Sequence, residues 1–70
     1  MLLKKRSFSL AGHRTSVALE QEFWNVIESE ARRAGQNLVA LVSQIDASRG
    51  EFPLASALRL AALAAAKSAP

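Results

Sequence analysis

The chain contains no cysteine, which excludes disulfides, thiolate metal sites and thiol redox chemistry. Its single histidine, His13, has no cysteine partners with which to build a zinc site. A Gly-rich phosphate loop, a paired-carboxylate signature and a metal-ligand spacing are all missing. As a general base, His13 has neither a nucleophile nor an orienting acid at a meaningful distance along the chain. Neither an enzyme nor a cofactor is therefore expected. Long apolar runs are also lacking: the longest, residues 60–66, is far too short to cross a membrane. The opening MLLKKRSFSLAG is basic but has no continuous apolar core of signal-peptide length. An acid-free, Arg- and Ser-containing start is also a transit-peptide trait, but a strand pattern begins within it and cleavage would damage that pattern. The expectation is a cytoplasmic protein without a membrane partner.

Acid is absent from one region in particular. Residues 1–19 contain no aspartate or glutamate but carry Lys4, Lys5, Arg6 and Arg14. Residues 20–70 carry five basic and six acidic groups, a sum of −1 within the overall +3. Basic charge concentrated on one segment points to an anionic partner, either nucleic acid or a membrane surface.

What is present is enough for one small domain. Half of the 70 residues are hydrophobic, too many for a disordered tail. A chain of this size buries only about 60% of its unfolded surface and is marginal by itself. With disulfides and metal excluded, oligomerisation is the remaining staple.

From Arg14 to Leu19 the sequence alternates, with Thr15, Val17 and Leu19 on one side and Arg14, Ser16 and Ala18 on the other. This period of two is that of a half-buried strand. Residues 1–13 form a basic arm in which Phe8 and Leu10 also alternate, but with the opposite parity. The register must therefore break near Gly12. That leaves two options, a flexible arm leading into one strand or a hairpin turning at Ala11–Gly12–His13.

Three helices follow. Phe23, Val26, Ile27, Ala31 and Ala34 recur at helical spacing over about 20–34, with Trp24 flanking the stripe. Glu20 and Glu22 suit the positive end of this helix, Arg32 and Arg33 its negative end, and Gly35 its termination. Asn37 is a good N-cap for a second helix with an apolar stripe of Leu38, Leu41, Val42 and Ile45, ending near Gly50. Pro53 suits the first position of a third helix running to about Lys67. This helix is apolar nearly all round, with Leu54, Leu58, Ala61 and Ala65 on one side and Leu60, Leu63 and Ala64 on another. It needs burial on more than one face, against the small core and a subunit interface or against a second protein.

A lone strand followed by a Gly-turned helix pair has one natural solution. Two copies pair their strands antiparallel about a two-fold axis, each satisfying the other's backbone. Thr15, Val17, Leu19, Phe23, Trp24, Ile27, Leu41, Val42 and Ile45 then make the dimer core. Trp24 beside Phe23 is placed for burial rather than for stacking on bases.

The segment RTSVALEQEFWNVIESEARRAGQNLVALVSQI resembles a ribbon-helix-helix domain, the class of the Arc and MetJ repressors. KRSFSLAGHRTSVALEQEFW with LASALRL downstream is similar to a bacterial branch of small ribbon-helix-helix proteins, over roughly residues 5–63. The resemblance implies a mostly α fold: one short strand, two helices and an added third, in an intertwined homodimer with a two-stranded intersubunit ribbon. It also implies that the ribbon lies in the DNA major groove. Carried onto this chain, the base-contacting residues are Arg14, Ser16 and Ala18. Arg14 can bond guanine bidentately and Ser16 can bond several bases, whereas Ala18 replaces a long polar side chain and offers only contact with a thymine methyl. Gln36, Asn37 and Leu38, at the start of the second helix, inherit a phosphate contact. Lys4, Lys5, Arg6 and His13 add salt-sensitive attraction to phosphate.

The implied function is a homodimeric transcriptional repressor that binds double-stranded DNA. The alternative is a protein-interaction module such as the antitoxin of a toxin–antitoxin pair, with the third helix as the contact. Little chain beyond that helix is left to wrap a toxin, which favours the first.

Overall fold

The computed structural model describes residues 2–68. Two strands, β1 (Leu3–Leu10) and β2 (His13–Glu20), form an antiparallel hairpin, followed by α1 (Gln21–Arg33), α2 (Leu38–Ser48) and α3 (Leu54–Ser68). The segment expected as a basic arm is thus mostly a strand, and of the two options the hairpin is the one adopted. The fold has two strands of eight residues rather than one short strand. Backbone groups of β2 that were expected to need a second copy find partners in β1 along one edge.

The hairpin's geometry explains the parity change at Gly12. A two-residue turn, Ala11–Gly12, closes on the pair Leu10 and His13, and from there Phe8 faces Thr15, Arg6 faces Val17 and Lys4 faces Leu19. Directly opposed residues share a face, so even positions of β1 lie beside odd positions of β2. Both turn residues have positive φ, 51° at Ala11 and 81° at Gly12. This is the backbone of the primed turns that match strand twist, with glycine at one position and an alanine held in the left-handed region at the other.

The inner face supplies Phe8, Leu10, Val17 and Leu19 to a core completed by Trp24, Ile27, Val42, Leu54, Leu58 and Ala62. Trp24 is fully buried, tilted against Phe8 at a centroid distance of 6.0 Å. Its indole Nε1–H donates to the Lys4 carbonyl oxygen at 2.8 Å, so the one polar atom of the ring is satisfied and β1 is tied to α1. Phe23, Leu41 and Ile45 pack half-buried around this centre, and Thr15 is half-buried on the strand. The residues expected to be covered by a partner are therefore largely covered by the chain's own hairpin and third helix. Phe8 and Leu10 belong to the core although the sequence had placed them in an arm.

Helix ends follow the sequence signals at Gly35 and Asn37, whereas α3 starts at Leu54, one residue after Pro53, whose carbonyl accepts from the Ala57 N–H at 3.0 Å. The Gln36 N–H bonds the Ala31 carbonyl at 2.8 Å and the Gly35 N–H that of Arg32 at 3.1 Å, with Gly35 at φ 71°. These are the paired bonds of a glycine-terminated helix. In α3, Leu54, Leu58 and Ala62 are buried, while Leu60 and Leu63 remain 55% and 50% exposed. No helix of the described residues is long and apolar enough to cross a membrane.

Candidate nucleic-acid interface

The hairpin has two unlike faces. On the outer one, the register sets Lys5 opposite Ala18, Ser7 opposite Ser16 and Ser9 opposite Arg14. All of these are exposed except Ala18, which is half-buried. The Ser7 and Ser16 hydroxyls lie 2.9 Å apart, a cross-strand hydrogen bond that ties the middle of the face together. Two cations stand at opposite corners of a patch of small polar side chains. The nearest acid, Glu20, lies at the end of β2, where its carboxylate accepts from the Arg59 guanidinium at 3.1 Å. The Glu20 backbone N–H and then Arg59 hold that carboxyl below its ordinary range, so its charge is compensated at neutral pH. A face with net positive charge and short hydrogen-bonding side chains suits an anionic, edge-bearing partner.

Arg14, Ser16 and Ala18 lie together on this face, joined by Lys5. Arg6 does not. Its guanidinium is on the inner side, 5.0 Å from the Trp24 ring centroid and 2.6 Å from a Glu28 carboxylate oxygen. The phosphate role expected for Arg6 is not carried forward, since its charge is matched within the chain and its guanidinium lies over the indole. Lys4 is also on the inner side by register, though exposed, and His13 is exposed at the turn opposite Leu10. Ser7 and Ser9 were missed by sequence reasoning. The signal available was their alternation with Phe8 and Leu10, which places them outward once β1 is a strand.

The second expected element is the start of α2. The Asn37 carbonyl oxygen accepts the first ladder bond, from Leu41 at 3.2 Å, and its side-chain Oδ1 accepts from the Ala40 N–H at 2.8 Å. Asn37 is thus the N-cap that the sequence indicated. The amides of the first turn have no carbonyl one turn earlier to bond, and Asn37 takes only that of Ala40, so those of Leu38 and Val39 carry the positive end of the helix. Gln36 is half-buried and its own N–H is committed to α1.

An antiparallel ribbon with a basic outer face, backed by a Gly-turned helix pair, is the architecture of a ribbon-helix-helix domain. The family model of the ribbon-helix-helix domain matches residues 3–66, and the chain belongs to that family. Such domains generally bind DNA and dimerise. No curated protein and no solved structure matches the chain significantly.

Proposed function

We propose that the chain is a homodimeric, sequence-specific DNA-binding protein that acts as a transcriptional repressor in a bacterial cytoplasm. Two copies pair the open edges of β2 antiparallel, and Arg14, Ser16 and Ala18 of both enter the major groove. The observation that carries this reading is the outer hairpin face, where Arg14 and Ser16 are exposed on the same side as Lys5, on a surface free of unpaired acid. Arg14 supplies bidentate contact to guanine and Ser16 a versatile one, while Ala18 leaves its position weakly discriminating. Asn37 and Leu38 hold a backbone phosphate through helix-start amides, and His13 and Lys4 contribute general attraction.

The test is selection of bound sequences from random DNA, followed by titration of the Arg14→Ala and Ser16→Ala proteins at several salt concentrations. The expected result is a short palindromic or tandem site whose preference is lost on removing Arg14. Unchanged affinity for that site by an intact dimer would sink the proposal.

A protein-interaction role has its own support in the exposed apolar residues Leu60, Leu63 and Phe52 on and beside α3. A groove lined by Leu41, Ile45, Ala61 and Ala64 runs between α2 and α3. Exposed apolar clusters of this kind mark contacts with other proteins. Recovery of a stoichiometric second protein from native cells, bound only while Leu60 and Leu63 are intact, would establish an antitoxin-like role.

A further inference from the structure

The hairpin makes a ribbon from a single chain, and this alters what a dimer presents to DNA. Each strand has one open edge, because the sheet contains only β1 and β2 among the described residues. The two edges are not equivalent for self-pairing. β1 carries the consecutive cations Lys4, Lys5 and Arg6 and no acid, so a second β1 beside it meets like charge. In β2 the cation Arg14 stands near one end, so antiparallel pairing sets the two copies of Arg14 toward opposite ends of the ribbon and away from each other. β2 is therefore the central strand of a dimer and β1 the flanking one.

Four strands at about 4.8 Å spacing place the outermost two about 14 Å apart. The major groove is about 12 Å wide. The two central strands fit between its walls, but the flanking strands do not and must lie over the phosphate ridges on either side. The outward residues of β1 suit that position. Lys5 is an exposed cation on a long side chain, and Ser7 and Ser9 are short enough to let the ridges approach while offering hydroxyl donors.

We infer that β1 is a phosphate-gripping strand, with Lys5 and Ser9 of both protomers clasping the two backbones that border the groove read by β2. Ser7 holds Ser16 across the hairpin and supports the reading strand. This inference rests on the proposed DNA-binding function, and adds residues and a division of labour to it. The general attraction assigned to the basic segment becomes a defined contact made by Lys5 and Ser9.

The experiment compares the full chain with Lys5→Gln, Lys5→Ala/Ser9→Ala and Arg14→Ala on the selected site and on random duplex, each over a series of salt concentrations. Both β1 variants alter exposed residues, and circular dichroism with sedimentation checks fold and dimer. The expected result is that loss of Lys5 lowers affinity by the same factor on both DNAs. It also reduces the salt slope by about 2 per dimer, one phosphate for each protomer. Arg14→Ala instead removes the preference for the selected site. If the β1 variants keep the parent slope and affinity while Arg14→Ala loses discrimination, the inference is overturned and the DNA-binding proposal stands. A change of base preference on altering Lys5 and Ser9 would also overturn it, by making β1 the reading strand. If no variant affects DNA binding, the parent proposal itself fails.

Discussion

The two faces of one hairpin share a backbone and differ in almost everything else. The inner face is closed by Phe8, Leu10, Val17 and Leu19 against a buried tryptophan, and of its two cations Arg6 is matched by Glu28 and the indole ring. The outer face has small or charged side chains, and its cations Lys5 and Arg14 have no acid opposite them in the register. Adjacent charges of a basic segment, Lys5 and Arg6, therefore differ in their surroundings because they fall on opposite sides of the strand. Arg6 stands between Lys5 and Ser7 in the chain, yet it stabilises the fold, while its neighbour Lys5 is exposed on the opposite face.

The contrast can be broken most forcefully from inside. Trp24→Ala removes the largest fully buried side chain and the bond to Lys4, and should cost about 3–5 kcal/mol. Thermal and urea unfolding should show a chain largely unfolded at ambient temperature, and a cooperative transition near the parent midpoint would refute the packing account. Arg14→Ala acts on the other face. It should leave the unfolding midpoint within about 0.5 kcal/mol of the parent while weakening discrimination of the selected DNA site by about 1–3 kcal/mol. A binding titration beside a melt separates these two effects.

Arg6→Ala sharpens the comparison because it removes a cation from the inner face. The lost ion pair and cation–π contact should destabilise the fold by about 1 kcal/mol, a modest figure because the pair is partly exposed to solvent. Its salt slope for DNA should match the parent's, and a slope reduced as much as that of Lys5→Gln would show that the two faces are not distinct. Ala11→Asn should raise stability by about 0.5 kcal/mol, since asparagine tolerates the positive φ of 51° better than alanine does. A lower melting temperature would mean that the turn is not strained there.

The smallest effect concerns pH. Glu20 has a carboxyl held below its ordinary value by its own backbone N–H and by Arg59. The folded state thus binds this proton more weakly than the unfolded chain does. Its contribution is complete above the ordinary value of 4.5 and is lost as the pH falls through the depressed folded value. Arg59→Gln should narrow the gap in acid stability between neutral and acid conditions slightly, and equal pH profiles for the two proteins would assign the shift to the backbone N–H alone.

Much of this was legible in the sequence, where the reason was local. The alternation of β2, the Asn37 cap, the terminating Gly35 and the three helical stripes all depend on neighbours within a turn or two. The outward set of Arg14, Ser16 and Ala18 followed from alternation as well. β1 was harder to read because Ala11–Gly12 lacks the asparagine that advertises a primed turn, and because its parity looked like a break in register. That parity is what a two-residue turn requires, since opposed residues then have numbers of unlike parity. The position of Arg6 could not be read, because its partners Trp24 and Glu28 come from α1, brought alongside only after the hairpin folds back. The half-exposed face of α3 was visible as a pattern, but which leucines it would leave outside depended on how the helix seats on Trp24 and Val42.

The in-chain pairing of β2 bears on when the protein becomes competent. An obligately interwoven dimer gains its folding free energy only as two chains meet, so its stability falls with dilution. A hairpin closes locally within microseconds, and it gives this chain a core before any encounter. Folding and association thereby become separate equilibria. Dilution should lower the unfolding midpoint only while the dimer empties and then leave it at the value of the single folded chain, so that a DNA-binding protein built in this way would set its occupancy by assembly on the site rather than by the supply of folded protein.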